Sequence, residues 1–230
     1  MKLLRHLTIC IVLLTSAAAF AGEIIEAVIA TVSRKPVLQS EWDDATRFEA
    51  FMQQKPLSAV TDKDRVNALQ RLIDRRLLDA QMNSPNYLAP SRDELRSNLT
   101  KLRGQIPAAA DDKGWRTVLA IYGFSEREVE DHLREEMQMM NFVDVRLRPT
   151  VHVQPEEVEA YYRAQILPDL EKAGVKMVTL REVEPKIREL LVQQHMDELL
   201  DAWLHNLRQQ TPVHSSVPLP AWGHEAMGGN

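Results

Sequence analysis

The sequence predicts a mainly α-helical protein with a small N-terminal β-hairpin and a long C-terminal helix that closes the fold. Apolar residues recur three or four positions apart along most of the chain, which is the period of a helix face. The longest such stretch, residues 185–210, carries one apolar face and is followed by no other apolar helix. It must therefore pack against helices upstream. We expect its structural core residues to be Trp203, Leu204 and Leu207.

The hairpin is predicted from two short apolar runs near the N-terminus, residues 26–32 and 36–38, joined by Ser33-Arg34-Lys35. Pro36 has no N–H to donate to a sheet, so the second strand must be short or lie at an edge. Two strands alone are marginally stable in water, so the hairpin must rest on helices.

Helix starts are indicated by capping residues that precede each periodic stretch. A Ser or Thr followed three positions later by an acidic residue satisfies two backbone N–H groups at once. Gly123 is suited to ending a helix at Tyr122 in the left-handed conformation. The predicted N-terminal caps are Ser40, Thr61, Ser91, Asp111 or Asp112, Ser125 and Thr179.

Prolines and glycines organise the rest of the chain. Pro155 is well placed at the first position of a short helix, and residues 167–178 are predicted to be a mixed connection. Pro185 removes a backbone hydrogen bond inside the last helix, so we expect a kink there. Residues 213–217 could add a short strand, and residues 218–230 are predicted to be disordered.

The first 21 residues have the pattern of a signal peptide. Lys2 and Arg5 precede an apolar run, which ends at the small-x-small sequence Ala19-Phe20-Ala21. An uncleaved membrane anchor is the alternative, but the run is shorter than the roughly 20 residues that span a bilayer. We expect a secreted product without a stable membrane anchor. Cys10, the single cysteine, would leave with this peptide.

Charge and motifs exclude several classes of function. The chain has 28 basic and 33 acidic residues, and removal of the signal peptide would leave 26 basic ones. This acidic balance argues against nucleic acid as a partner. The histidines lack the spacing of metal ligands and are expected on the solvated surface. Since nucleophile and phosphate-loop motifs are also missing, we predict no catalytic residue, metal or cofactor.

A run of flexible apolar side chains on one helix is the candidate binding site. Methionine is common on surfaces that accept varied apolar ligands, because its side chain is unbranched and polarizable. The competing interpretation is that Met137 and Met140 belong to the core stripe and only Met139 points elsewhere. The candidate peptide-binding residues are Met137, Met139, Met140 and Phe142.

Five segments, taken in order, resemble SurA-type periplasmic chaperones and related parvulin-type proteins. The segments are residues 26–45, 68–78, 122–137, 153–162 and 187–204. The resemblance implies a chaperone core over residues 22–217, with a client-binding cleft between the N-terminal helices and the returning helix. It also implies a periplasmic location and unfolded or extended polypeptides as partners, outer-membrane protein precursors among them.

The chain departs from that family in one important place. Full-length members carry one or more parvulin isomerase domains where this chain has only residues 167–178. The resemblance therefore implies a holdase-type chaperone without isomerase activity. Two alternatives stay open: a protein related to peptidyl-prolyl isomerases, and a structural adaptor with one fixed partner.

We predict export with cleavage between Ala21 and Gly22, because the three regions of a signal peptide occur in order. Mass spectrometry of protein recovered from the periplasm should find an N-terminus at Gly22. Recovery of the intact Met1 form from membranes would contradict the prediction.

Overall fold

The computed structural model describes residues 26–82, 88–174 and 178–219, so the predicted signal peptide and residues 220–230 lie outside the described residues. The predicted fold class is confirmed: the protein is mainly helical, with a small N-terminal sheet and a long C-terminal helix. The elements are β1 Val28–Val32, β2 Lys35–Leu38, α1 Gln39–Met52, α2 Asp62–Asp79, α3 Arg92–Gly104, α4 Asp112–Tyr122, α5 Glu126–Leu147, α6 Pro155–Tyr161, α7 Leu167–Ala173, α8 Leu180–Gln210 and β3 Val213–Ser215.

Most helices begin where the capping chemistry predicts. At four N-terminal caps the acidic residue three positions later accepts the N–H of the cap at 2.7–2.8 Å. Asp111 caps α4, and Gly123 ends it with a φ of +74°. The pairs Thr61–Asp64, Ser91–Glu94 and Ser125–Glu128 are reciprocal, since the cap hydroxyl also accepts the N–H of the acidic residue. In the fourth pair, Thr179–Glu182, the Glu182 N–H donates to the Thr179 carbonyl oxygen.

The predicted cap of α1 at Ser40 is wrong. The helix begins at Gln39, and its N-cap is Leu38, the last residue of β2. The Leu38 N–H donates to a carboxylate oxygen of Glu41 at 2.9 Å, and the Ser40 N–H donates to Glu26 at 3.1 Å. Because the strand runs directly into the helix, no residue is left between them to serve as a separate cap.

The predicted connection over residues 167–178 is also wrong in part, because residues Leu167–Ala173 are helical. A π-helical turn, Tyr162–Ile166, joins α6 to α7, and Gly174 ends α7 with a φ of +62°. Pro168 supplies no N–H, which is a local reason for regular α-helical hydrogen bonding to break beside it.

Three buried clusters hold the helices together. The helical cluster joins α1, α3, α4 and the first half of α5 around Phe51, whose ring lies 5.5–6.3 Å from those of Trp115, Tyr122 and Phe124. The sheet cluster joins β1, β2, Trp42 of α1, α2 and the second half of α8. The third, the α6 cluster, consists of Val158, Ile187 and Leu191 with half-buried neighbours.

The sheet is antiparallel with the order β2-β1-β3. Ser33 and Arg34 form the turn between β1 and β2, with φ values of +46° and +72°. Positive φ at both central residues is the pattern of a type I′ two-residue turn, and here neither residue is glycine. The predicted third strand is confirmed over Val213–Ser215. Within the predicted tail, Leu219 still packs against the sheet cluster.

The apolar spacing of α8 predicts one buried face, but the helix buries two. Ile187 and Leu191 are buried in the α6 cluster, whereas Leu204 and Leu207 are buried in the sheet cluster. At about 100° per residue, Leu191 and Leu204 lie about 140° apart around the helix axis. The two halves of α8 therefore face different partners. Pro185 lies inside this helix, which begins at Leu180.

Arg208 anchors the second half of α8 to α2. Its guanidinium donates two hydrogen bonds to the carboxylate of Asp74, at 2.8 and 2.5 Å, and both side chains are less than one-fifth exposed. Burial raises the pKa of the Asp74 carboxyl, an effect that Arg208 opposes and Asp201 reinforces. The pair therefore fixes the position of α8 on α2 more than it adds stability.

None of the described helices is long and apolar enough to cross a bilayer.

Replacing Arg208 by Met should leave the Asp74 carboxylate buried without its main counter-charge, at a cost of about 3 kcal/mol near neutral pH. The pKa of Asp74 is already raised by burial, so protonation removes this penalty and the cost should shrink as pH falls from neutral to mildly acidic. Urea unfolding at both pH values measures the difference. Asp74→Asn combined with Arg208→Met should recover most of the loss, whereas a cost that is independent of pH would contradict this account.

Leu204→Ala should lower the free energy of unfolding by about 2–5 kcal/mol, because it removes a buried side chain from the sheet cluster. Leu199→Ala is the matched control on the same helix. Leu199 is 40% exposed, so its truncation should change stability by less than about 1 kcal/mol. Equal costs for both variants in urea unfolding would contradict the assignment of the buried face.

Candidate functional site: an apolar seam between α5 and α8

The second half of α5 meets α8 along a row of apolar side chains that are only half-buried. The rings of Phe142 and Trp203 lie 5.8 Å apart at an angle of 47°. Met139, Val143 and Leu200 flank them, and all five pack against the sheet cluster. We call these five residues the seam. Because its members keep part of their surface in solvent, the seam differs from the closed interior of the same cluster.

The two helices run in opposite directions and touch at two points of unequal spacing. The first is the Phe142–Trp203 ring contact, and the second is an ion pair between Arg148 and Glu189 at 3.0 Å. Six residues separate the two points on the α5 side, against fourteen on α8, which correspond to about 9 Å and about 21 Å of helix rise. Helix α5 therefore cannot cover the whole intervening length of α8.

Between the two contact points α8 is only partly covered. Met196 is buried at 4% exposed, whereas Leu199 is 40% exposed and lies about 40° around the helix from Trp203. Leu190 is also exposed, but it lies on the opposite side of α8 from Leu199 and away from the seam. On α5, Val145 is 55% exposed and lies about 60° around the helix from Phe142. Leu199 and Val145 form what we call the exposed margin of the seam. Together the seam and its margin are a surface of the kind that accepts apolar ligands.

The polar surroundings of the margin are of mixed charge. Arg148 donates to Asp144 at 2.6 Å as well as to Glu189, and both carboxylates raise the pKa of its guanidinium. Positive and negative groups thus alternate at the end of α5. This arrangement has no strong preference for a ligand of one charge.

The four candidate peptide-binding residues are not brought to one place. Met139 and Phe142 belong to the seam, whereas Met137 packs on the opposite side of α5 against the helical cluster. Met140 is 66% exposed. The interpretation that placed Met137 and Met140 in the core stripe and Met139 elsewhere therefore agrees with Met137 and Met139, which pack on different clusters, and is wrong for Met140. The helical cluster ends before Met140, so nothing in it covers that position.

The three residues expected in the structural core divide between core and seam. Leu204 and Leu207 are 6% and 7% exposed within the sheet cluster. Trp203 is half-buried and presents its ring to Phe142. Its position at the boundary leaves part of a large apolar ring available to a ligand.

His132 is not the solvated surface residue that sequence reasoning expected. Its ring stacks on Phe48 at 4.2 Å, and its Nε2 lies 2.7 Å from an Asp44 oxygen. This hydrogen bond lowers the pKa of the Asp44 carboxyl and ties α1 to α5. The signal was present in the sequence, since His132 follows the buried Val129 by three positions and so shares its side of the helix.

A shallow depression on α4 is a second candidate site, and it has a volume of about 480 Å³ between Pro107 and Ile121. Its one carboxylate, Asp111, already accepts the N–H of Gly114 at 2.6 Å as the cap of α4. A Cβ at Gly114 would lie 2.2 Å from the Ala108 carbonyl oxygen, so the floor is closely packed backbone. We find in it no set of groups that would orient a ligand.

Across residues 26–82, 88–174 and 178–219, no group of three or more His, Cys, Asp or Glu side chains is arranged to hold a metal ion. The seam and its margin are thus the surface on which a function can be argued. No family model matches the chain, and no curated protein matches it in sequence.

Proposed function

We propose that the protein is a periplasmic holdase-type chaperone that binds unfolded or extended polypeptides at the seam and its exposed margin. The observation that carries the proposal is the exposure of Leu199 and Val145 beside the half-buried rings of Phe142 and Trp203. Contiguous apolar surface rimmed by charged groups is typical of a site that binds protein segments. Outer-membrane protein precursors are suitable clients, because they reach the periplasm unfolded.

The chemistry of the seam suits clients of varied sequence. Met139 is flexible, and the two aromatic rings offer broad apolar faces without a fixed hydrogen-bonding pattern. Specific recognition would instead need a few convergent polar groups inside a pocket. Binding should be weak to moderate, because an extended client loses conformational entropy when it is ordered.

The proposal does not include isomerase activity. The resemblance locates parvulin domains between the last two segments of the family, and here that interval contains the π-helical turn and α7. A parvulin domain needs a pocket on a fold of its own, which a single short helix cannot build.

The mature protein, residues 22–230, should slow the aggregation of two unrelated clients, a urea-unfolded outer-membrane β-barrel and reduced insulin, without nucleotide. Replacing Leu199 and Val145 together by Ser should weaken this effect severalfold, since each change removes exposed apolar area. Light scattering measures aggregation. The fold should persist, because both side chains are on the surface.

Ile121→Ser is the matched control, since Ile121 is 60% exposed but lies on α4, away from the seam. This variant should protect clients as well as the parent protein does. Protection of one client only would favour a fixed-partner adaptor, and faster isomerisation of a prolyl peptide would favour an enzyme. An undiminished effect in the Leu199→Ser, Val145→Ser double variant would contradict binding at the margin.

A further inference from the structure

The two edges of the three-stranded sheet differ in their capacity to accept another strand. In an antiparallel ladder the backbone groups of alternate residues point toward the neighbouring strand, and those between them point away. Lys35 pairs with Val32 across the two-residue turn, so the backbone groups of Lys35 and Val37 face β1. Pro36 and Leu38 consequently occupy the outward positions of β2.

The β2 edge is closed to an incoming strand. Pro36 has no N–H to offer, and the N–H of Leu38 is already donated to Glu41 at 2.9 Å. Lys35 also lies on this strand. Proline and lysine are the residues with which natural sheets block their edges.

The β3 edge has none of these protections. The Ser33 N–H donates to the Pro212 carbonyl at 3.1 Å and the Ser216 N–H donates to the Ile29 carbonyl at 2.9 Å, so even-numbered residues of this strand face β1. Val213 and Ser215 therefore direct their N–H and C=O groups outward. Among the described residues, no hydrogen bond from another element reaches those four groups.

We infer that the β3 edge binds an extended segment of a polypeptide by strand addition, with hydrogen bonds to Val213 and Ser215. The inference rests on the proposed function and adds the backbone part of recognition to it. Strand addition forms hydrogen bonds to the main chain, so it suits clients whose only shared feature is an extended backbone. Val213 also packs against the sheet cluster that supports the seam, so the edge and the seam border one core.

A client segment fits this edge better than a second copy of the chain does. The strand is three residues long, and the Ser215 hydroxyl turns the chain after it by bonding both backbone groups of Val217. So short an edge provides only a few hydrogen bonds, whereas a stable dimer buries at least about 1,000 Å². Transient capture of an extended segment needs no more than this.

Val213→Pro tests the edge by removing one outward N–H while leaving the ladder to β1 intact. The probe is a fluorescent short peptide of alternating valine and threonine, whose binding to the mature protein is followed by anisotropy. Val213→Pro should raise Kd up to about tenfold, as expected for the loss of one hydrogen bond. Val213→Ala keeps the N–H and should raise Kd less than threefold. His214→Pro removes an inward N–H and should instead unpair β3, lowering the Tm.

A second comparison leaves the protein unchanged and decides the matter if Val213→Pro does not fold. The same peptide is N-methylated at every second residue, in either of two frames, so that one edge of its backbone is blocked. The short β3 edge can hydrogen-bond to only one edge of the peptide backbone. When one end of the peptide is fixed so that it cannot shift by one residue, the two methylated peptides should therefore differ about tenfold in Kd. The Val213 and Ser215 amide protons should exchange more slowly in the complex.

Each outcome has one meaning. Failure of the wild-type protein to bind either the peptide or unfolded clients would overturn the proposed function, and strand addition with it. Strand addition alone would be overturned if Val213→Pro left client protection unchanged and the two N-methylated peptides bound with equal Kd. A dimer seen by analytical ultracentrifugation and lost in Val213→Pro would show that a second copy occupies the edge, which also overturns the inference.

Discussion

The structure depends on one constraint: helix α8 must bury two different faces against two different partners. Ile187 and Leu191 pack on α6, while Leu204 and Leu207 pack on the sheet and α2. The buried face changes between Leu191 and Leu204, where Met196 is still buried but Leu199 is 40% exposed. The exposed part of the candidate surface on α8 thus lies where the helix passes from one cluster to the other, and it does not depend on any special sequence motif.

Much of the fold could be predicted because helix ends are local chemistry. A cap such as Ser91 and its partner Glu94 need only each other, so their spacing identifies the helix start. The failures have non-local causes. Ser40 was expected to cap α1, but the preceding strand, which is set by pairing with β1, reaches Leu38. Residues 167–173 lack strong apolar periodicity, and their helix continues α6 through a π-helical turn.

The candidate site was harder to predict than the fold, because exposure depends on the neighbouring element as well as on helix phase. The phase of α5 correctly separates Met137 from Met139 and Phe142. It does not reveal that the helical cluster stops before Met140, since that depends on where α3 and α4 end. His132 shows the opposite error: its phase indicates a buried side, and its contact with Asp44 follows from α1 packing there. Sequence periodicity therefore predicts faces but not the partners that cover them.

The sheet cluster supports both proposed surfaces, and this sets a limit on its packing. Trp203 and Phe142 at the seam and Val213 at the sheet edge each pack against it with only part of their surface. Burying them fully would stabilise the protein by the apolar area removed from water. The same change would remove the area that a client could contact. Half-burial therefore lets the core hold these residues in position while part of their surface stays available for binding. The stability that is lost in this way must come from the fully buried interior of the cluster.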